Sequence, residues 1–198
     1  AKEAAMPDIE YDLRYLAAGL EGLDEYLHSD EVYWPLQATP LAGQPPFPQL
    51  TLDGLLLSAA RLQAQVLPDS HQAEYQQLVN QLEAVRSKRR VAWEKKATHN
   101  FRARLTLWRN FMVELRDETD ANADRYPYEV TRRVQLTLLS EDARQRPTAE
   151  DELVRMLDSL LETLLAPGAF IWDPELERGF PQSRFWFLYG QIKPQAKD

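Results

Sequence analysis

Cysteine is absent from this chain of 198 residues. Without a thiol, the chain has no disulfide framework, no cysteine nucleophile and no cysteine-ligated metal site. Long apolar runs are also missing, and none approaches the ~20 residues that a membrane-spanning helix needs. The opening residues, AKEAAMPDIEYD, lack the apolar core of a signal peptide. We therefore expect no membrane association and a cytoplasmic location.

Glycine and proline are unevenly distributed along the chain. No glycine lies between Gly54 and Gly168, and neither residue type lies between Pro68 and Pro127. Because both residue types interrupt helices, long stretches without them favour helix. Hydrophobic residues make up 44% of the chain and charged residues 27%, which is typical of a globular protein. The sequence therefore predicts a single all-α domain.

Apolar spacing and proline content give the order of the helices. Apolar residues at steps of three and four from Ile9 to Leu27 predict a first helix. Tyr33 to Leu50 contains five prolines, a density that excludes a regular helix and predicts a connector. The predicted segments are helix 1 over 7–28, a proline-rich connector over 33–50, further helices over 52–67, 70–118, 126–141 and 149–166, and an aromatic tail over 167–198.

The predicted helix over 70–118 is unusually long. Its apolar positions recur on average every 3.6 residues from Tyr75 to Leu115, which is the period of a straight helix. About 50 helical residues would span about 75 Å, against about 40 Å for a compact chain of this length. The molecule is elongated or the helix bends, with Thr98-His99-Asn100 as the weakest helix-forming stretch. We predict an elongated bundle of about five helices with one dominant long central helix.

The C-terminal tail is rich in aromatic residues, with seven between Phe170 and Tyr189. Side chains with this much apolar area are normally buried, either in a core or in a binding interface. The tail is therefore expected either to close the core of the bundle or to form a docking surface. An extended cover is expected, and a two-stranded element is the alternative. The candidate docking residues are Trp172, Phe185, Trp186, Phe187 and Tyr189.

Residues 85–110 concentrate positive charge in a chain whose net charge is -8. The segment holds nine Lys or Arg and one acid, Glu94. Four of the bases recur every seven residues and would lie along one side of a helix. We call the candidate binding residues the basic face: Lys88, Arg89, Lys95, Arg102 and Arg109.

The basic face has two interpretations. Residues 1–31 hold nine acids against two bases, so the face can be neutralised within the chain. Alternatively it binds nucleic acid or an acidic protein, in which case binding would weaken steeply with salt. The acidity of the rest of the chain argues against nucleic acid, because nucleic-acid-binding domains are usually basic as a whole. Trp93 and Trp108 lie on the apolar side of the same helix and are expected to be core residues.

One spacing resembles a metal site. Glu25 and His28 form an E-x-x-H pair, and Glu21 and Asp24 lie about one turn earlier. Helix-bundle di-iron proteins use two such motifs together with two further glutamates, whereas this chain has one. A solvated acidic helix surface is the main interpretation. A metal-dependent enzyme is the alternative that these four residues leave open.

Catalytic sequence motifs are missing as well. The patterns GxGxxG, GxxxxGK[ST], HExxH and GxSxG do not occur, and the three histidines stand in no recognisable catalytic setting. We expect a non-catalytic helical interaction or scaffold protein with no cofactor. Its expected partner is a protein, either another copy of the chain or a different one.

Overall fold

The computed structural model describes residues 8–194. The predicted start of helix 1 at Pro7 and the last four residues of the predicted tail lie outside this range. Within it, the chain is mostly helical and contains a two-stranded sheet. The all-α prediction is therefore confirmed at the level of fold class.

The helices differ widely in length, and three of them have only four residues. The helices are α1 Ile9–His28, α2 Leu52–Ala64, α3 Asp69–Lys88, α4 Arg90–Asp117, α5 Thr119–Asn122, α6 Tyr126–Glu129, α7 Thr131–Leu139, α8 Thr148–Leu164 and α9 Gln182–Phe185. The strands are β1 Leu165–Phe170 and β2 Tyr189–Ile192, which pair antiparallel.

The predicted helix over 70–118 is in fact two helices, so that prediction was wrong. The break falls at Arg89, whose φ of -108° and ψ of 31° are not helical. The suspected weak point at Thr98–Asn100 lies inside α4. There the Asn100 side chain donates to Tyr26 Oη over 2.9 Å and accepts from the Leu52 backbone N–H over 2.9 Å. These buried hydrogen bonds between elements offset the poor helix propensity of asparagine.

The predicted helix over 126–141 is also divided. It consists of α6 and α7, which Val130 separates, and α7 ends at Leu139. Further along, α8 ends at Leu164 and leads directly into β1. Over residues 167–194, the extended cover was the wrong choice, and the two-stranded element given as its alternative is present as β1 paired with β2. The same segment also contains α9 and two short 3₁₀ helices.

The core lies between α1, α2, α4 and α7 and extends into the C-terminal segment. Trp93 and Trp108 are buried in it, as the apolar side of α4 predicts. Phe180 and Phe187 belong to the same core. The hydroxyl of Tyr126 donates to the Phe187 carbonyl over 2.5 Å, which ties the C-terminal segment to α6.

The proline-rich connector is held against α1. The hydroxyl of Tyr11 donates to the Pro46 carbonyl, and that of Tyr15 to the Gln49 carbonyl, each over 3.1 Å. Between them the ring of Phe47 lies 4.9 Å from that of Tyr11, centroid to centroid, in an edge-on arrangement. The prolines of the connector have no backbone N–H with which to form a regular helix or strand, and the two tyrosine hydroxyls of α1 satisfy two of the connector's carbonyl oxygens. The connector therefore forms a fixed wall beside α1.

Candidate ligand-binding cleft

The basic face is largely neutralised by acids of the same chain. Its lysines and most of its arginines are exposed. The ion pairs are Arg89 with Asp24 at 2.7 Å, Lys95 with Asp30 at 3.4 Å, and Arg102 with Glu150 at 2.7 Å. The acidic partners lie on α1, just after it, and on α8. The arrangement matches the interpretation in which the segment's charge is complemented within the chain.

Two residues of the basic face have no such partner. Among residues 8–194, neither Lys88 nor Arg109 forms an ion pair, and Arg109 donates only to the side chain of Asn110, over 3.3 Å. Both side chains are exposed. The positive charge that remains available on the basic face is therefore that of these two residues.

The acidic and histidine cluster of α1 lies on the surface. Glu21, Asp24, Glu25 and His28 are all exposed, and Asp24 is engaged by Arg89. The Nδ1 atom of His28 lies 2.7 Å from the Asp24 carbonyl oxygen. Within the part of the chain that the structure describes, no group of three or more His, Cys, Asp or Glu is placed to hold a metal ion.

The candidate docking aromatics lie mostly inside the molecule. Trp172, Phe185, Phe187 and Tyr189 are buried, and Trp186 is half-buried against the core. The rings of Phe180 and Phe185 pack edge-on with centroids 5.1 Å apart. The rings proposed as a docking surface therefore fill the core of the chain itself, because the C-terminal segment folds back onto the bundle.

The structure instead assembles a cleft that the sequence did not suggest. It has a volume of about 420 Å³ and lies between α1, the proline-rich connector, α2, α4 and the α6–α7 region. We call it the arginine cleft. Its lining residues are Tyr11, Tyr15, Pro45, Pro46, Pro48, Gln49, Thr51, Gly54, Leu57, Ser58, Arg61, Arg104, Tyr128, Thr131, Arg132, Gln135 and Trp172.

The first arginine of the cleft is fixed by a buried carboxylate. Arg61 Nε and Nη2 donate to the two oxygens of Asp12 over 2.9 and 2.6 Å. Asp12 has no exposed surface. Burial raises the pKa of Asp12, and the Arg61 guanidinium opposes that rise. This bidentate pair holds the guanidinium in one orientation at the cleft wall.

The second arginine is held in a similar way. Arg104 Nε donates to Asp53 Oδ2 over 2.5 Å, and Asp53 is fully buried. Burial raises the pKa of Asp53, and the charge of Arg104 works against it. Among residues 8–194, Asp53 Oδ1 has no hydrogen-bond partner. Arg104 Nη2 also donates to Thr51 Oγ1 over 3.5 Å, and among residues 8–194 its Nη1 group has no hydrogen-bond partner.

The third arginine is the least satisfied. Arg132 Nη1 forms an ion pair with Glu129, and Arg125 Nη2 binds the same carboxylate over 3.0 Å. Within residues 8–194, Nε and Nη2 of Arg132 have no hydrogen-bond partner. The pKa of Arg132 is lowered, chiefly by burial, and the nearby cations Arg104 and Arg125 lower it further. An anion placed beside Arg132 would offset the cost of its burial and counter the repulsion from these cations.

Part of the cleft lining is apolar. It includes the prolines of the connector and the rings of Tyr11 and Tyr15, whose hydroxyls are already bonded to that connector. Tyr128, which also lines the cleft, is 69% exposed. Trp172 is another lining residue, and its indole N–H donates to the Pro127 carbonyl over 2.9 Å. The cleft therefore combines three guanidinium groups with prolines and aromatic rings.

Sequence reasoning missed this cleft because its three arginines come from three separate helices, α2, α4 and α7. The available signal was the position of the acids: Asp12 lies in the apolar face of α1, and Asp53 lies within the run Leu52–Leu57. A carboxylate in an apolar face must be paired with a cation. The sequence alone does not say that Arg61 and Arg104 are those cations.

Comparison with protein-family models, with curated proteins and with solved structures finds no significant match. Among residues 8–194, no helix is both long enough and apolar enough to cross a membrane.

Proposed function

We propose that this is a non-catalytic binding protein whose arginine cleft holds a small organic molecule. The observation that carries the proposal is the convergence of Arg61, Arg104 and Arg132 on a cleft that prolines and aromatic rings also line. Its volume of about 420 Å³ lies within the range of small-molecule sites. A few polar groups on a mostly apolar lining is the usual composition of such sites.

The energetics of buried charge support the same proposal. A buried ion pair can often be replaced by apolar residues of similar volume without loss of stability, because desolvation offsets the attraction. The Asp12–Arg61 and Asp53–Arg104 pairs are therefore weakly explained by folding alone. They are better explained as fixed supports that orient guanidinium groups towards a ligand.

Filling the cleft should abolish ligand binding. We expect fragments that bind to shift the indole N–H resonance of Trp172 in ¹H–¹⁵N spectra, because this residue lines the cleft. In Thr131→Trp, a large ring placed on the cleft wall should remove those shifts by steric exclusion. Thr106→Trp, on an exposed position of α4, is the matched control and should bind as the wild type does. Fragments that bind Thr131→Trp unchanged, or that perturb only resonances away from the cleft, would refute the proposal.

A second candidate function concerns the basic face. The exposed and unpaired side chains of Lys88 and Arg109 favour an acidic protein surface as partner, in keeping with the interaction protein expected from the sequence. Nucleic acid is the less favoured polyanion, because most of the neighbouring cations are already paired with acids of this chain.

Charge reversal at these two residues tests the second candidate. Fluorescence anisotropy at about 50 mM salt should show labelled poly-glutamate binding to the wild type and labelled single-stranded DNA binding more weakly. Lys88→Glu combined with Arg109→Glu should abolish both signals, because the available positive charge is removed. Arg178→Glu changes the charge of an exposed residue outside the basic face, whose side chain contacts the Gln65 carbonyl just after α2, and should have no effect. Wild-type protein that leaves the anisotropy of both probes unchanged would eliminate this function.

A further inference from the structure

We infer that the ligand of the arginine cleft is an organic acid with one carboxylate, and that Arg132 binds this carboxylate. The inference rests on the proposed small-molecule function and adds the chemical class of the ligand. It assigns contact with the ligand carboxylate to Arg132, whereas Arg61 and Arg104 shape the wall of the cleft.

The guanidinium groups of the three cleft arginines differ in which of their N–H groups are left free. In Arg61 the Nε and Nη2 groups, which can donate in parallel to a carboxylate, are both occupied by Asp12. In Arg104 the Nε group is occupied by Asp53. Arg132 uses Nη1 for Glu129, so its Nε and Nη2 edge is left without a partner among residues 8–194. That edge matches the two oxygens of a carboxylate in a bidentate pair.

The balance of buried charge favours a ligand with a low negative charge. Arg61 is matched by Asp12, and Arg104 by Asp53, each in a buried or nearly buried pair. Glu129 instead serves two cations, Arg125 and Arg132.

Arg125 and its other partner, Glu114, are both about half exposed and pair with each other at 2.7 Å, which leaves Glu129 to balance Arg132. The three arginines of the cleft are thus matched by Asp12, Asp53 and Glu129. A carboxylate bound at the free edge of Arg132 adds one negative charge, whereas a phosphate dianion would add two, so the carboxylate is the less costly to bury.

The remaining lining defines the body of the ligand. The connector prolines and the rings of Tyr11 and Tyr15 form an apolar part of the lining, and both tyrosine hydroxyls are already bonded to the connector. Tyr128 lines the cleft with most of its side chain exposed, where it can cover an aromatic ligand. A carboxylic acid with a largely apolar aromatic body can contact both the guanidinium groups and the apolar lining.

Three probes with the same body and different head groups test the inference: 2-naphthoate, its neutral amide 2-naphthamide, and 2-naphthyl phosphate. Isothermal titration calorimetry of the wild type should show 2-naphthoate binding at least ~10-fold more tightly than the amide, the difference made by a charge-assisted bidentate contact. The phosphate should bind more weakly than the carboxylate. In Arg132→Gln the preference for the carboxylate should disappear while amide binding is retained.

Arg132→Lys keeps the charge but removes the parallel donors, so it should retain only part of the preference. Arg155→Gln, at an exposed arginine of α8 outside the cleft, should leave all three affinities unchanged. Equal wild-type affinity for acid and amide, or preference for the phosphate, would overturn the inference and leave the small-molecule function standing. Cleft-specific hits in the fragment experiment that include no carboxylate would overturn it as well. If no fragment enters the cleft, the proposed function itself fails.

Discussion

Replacing Arg61 with alanine should lower the free energy of unfolding by about 3–5 kcal/mol, which is the usual cost of removing one member of a buried ion pair. The reason is that Asp12 has no exposed surface and that Arg61 donates to both of its carboxylate oxygens and supplies the cation that balances it. Thermal unfolding followed by circular dichroism should show a melting temperature lower by roughly 10 °C for a domain of this size.

The stability lost in Arg61→Ala should depend on pH in a defined direction. Burial already raises the pKa of Asp12 above its ordinary value of 3.8, and without Arg61 nothing of comparable strength opposes burial. An acid whose pKa is higher in the folded than in the unfolded state favours folding when protonated. The destabilisation should therefore be smallest at acidic pH and grow as pH rises through the pKa of folded Asp12.

Arg14→Ala is the matched control on α1. Arg14 pairs with Glu10 one turn away, and both side chains are about 40% exposed or more, so its loss should cost less than about 1 kcal/mol. In Asp12→Leu combined with Arg61→Met, apolar groups replace both charges, and stability should return close to that of the wild type. If Arg61→Ala is as mild as Arg14→Ala, the pair does not carry the energetic cost assigned to it here.

Phe187→Ala should be comparably destabilising, by about 3–5 kcal/mol, which is the cost of a large cavity in a packed core. Phe187 has no exposed surface, and its ring packs against Trp186 and beneath the guanidinium of Arg133. The change would also loosen the segment whose carbonyl accepts from Tyr126. Urea unfolding should show a lower midpoint with an unchanged m-value, as expected for a loss of stability without a change of fold.

Met156→Ala provides the comparison for Phe187→Ala. Met156 is an apolar side chain that is 69% exposed on α8, and its truncation should change stability by no more than about 0.5 kcal/mol. Similar effects of the two substitutions would mean that the C-terminal segment is a peripheral cover rather than part of the core.

The class of fold followed from the sequence because helix is a local property. The lack of glycine and proline, together with apolar spacing near 3.6 residues, indicated helices that the structure contains. The break at Arg89 was not foreseen, since the apolar period continues across it from α3 into α4. Arg89 binds Asp24 of α1 over 2.7 Å, so the position of the break coincides with a contact between distant parts of the chain.

Helix propensity gave a wrong expectation at Asn100, again because distant parts of the chain come into contact. Asparagine is a poor helix former, yet Asn100 lies inside α4 because its side chain binds Tyr26 and the backbone N–H of Leu52. The aromatic tail differs from Asn100. The number of rings in the tail indicated that they are buried, and they are. Only the folded chain shows that they are buried in its own core.

The sequence by itself determined that this protein is helical, free of thiol chemistry and locally enriched in positive charge in an otherwise acidic chain. These properties depend on composition and on the spacing of residues close together in the chain. Tertiary structure decided which charges are paired and where a ligand can bind. Asp12, Arg61, Arg104 and Arg132 are far apart in sequence, and the arginine cleft exists only because helix packing brings them to one place.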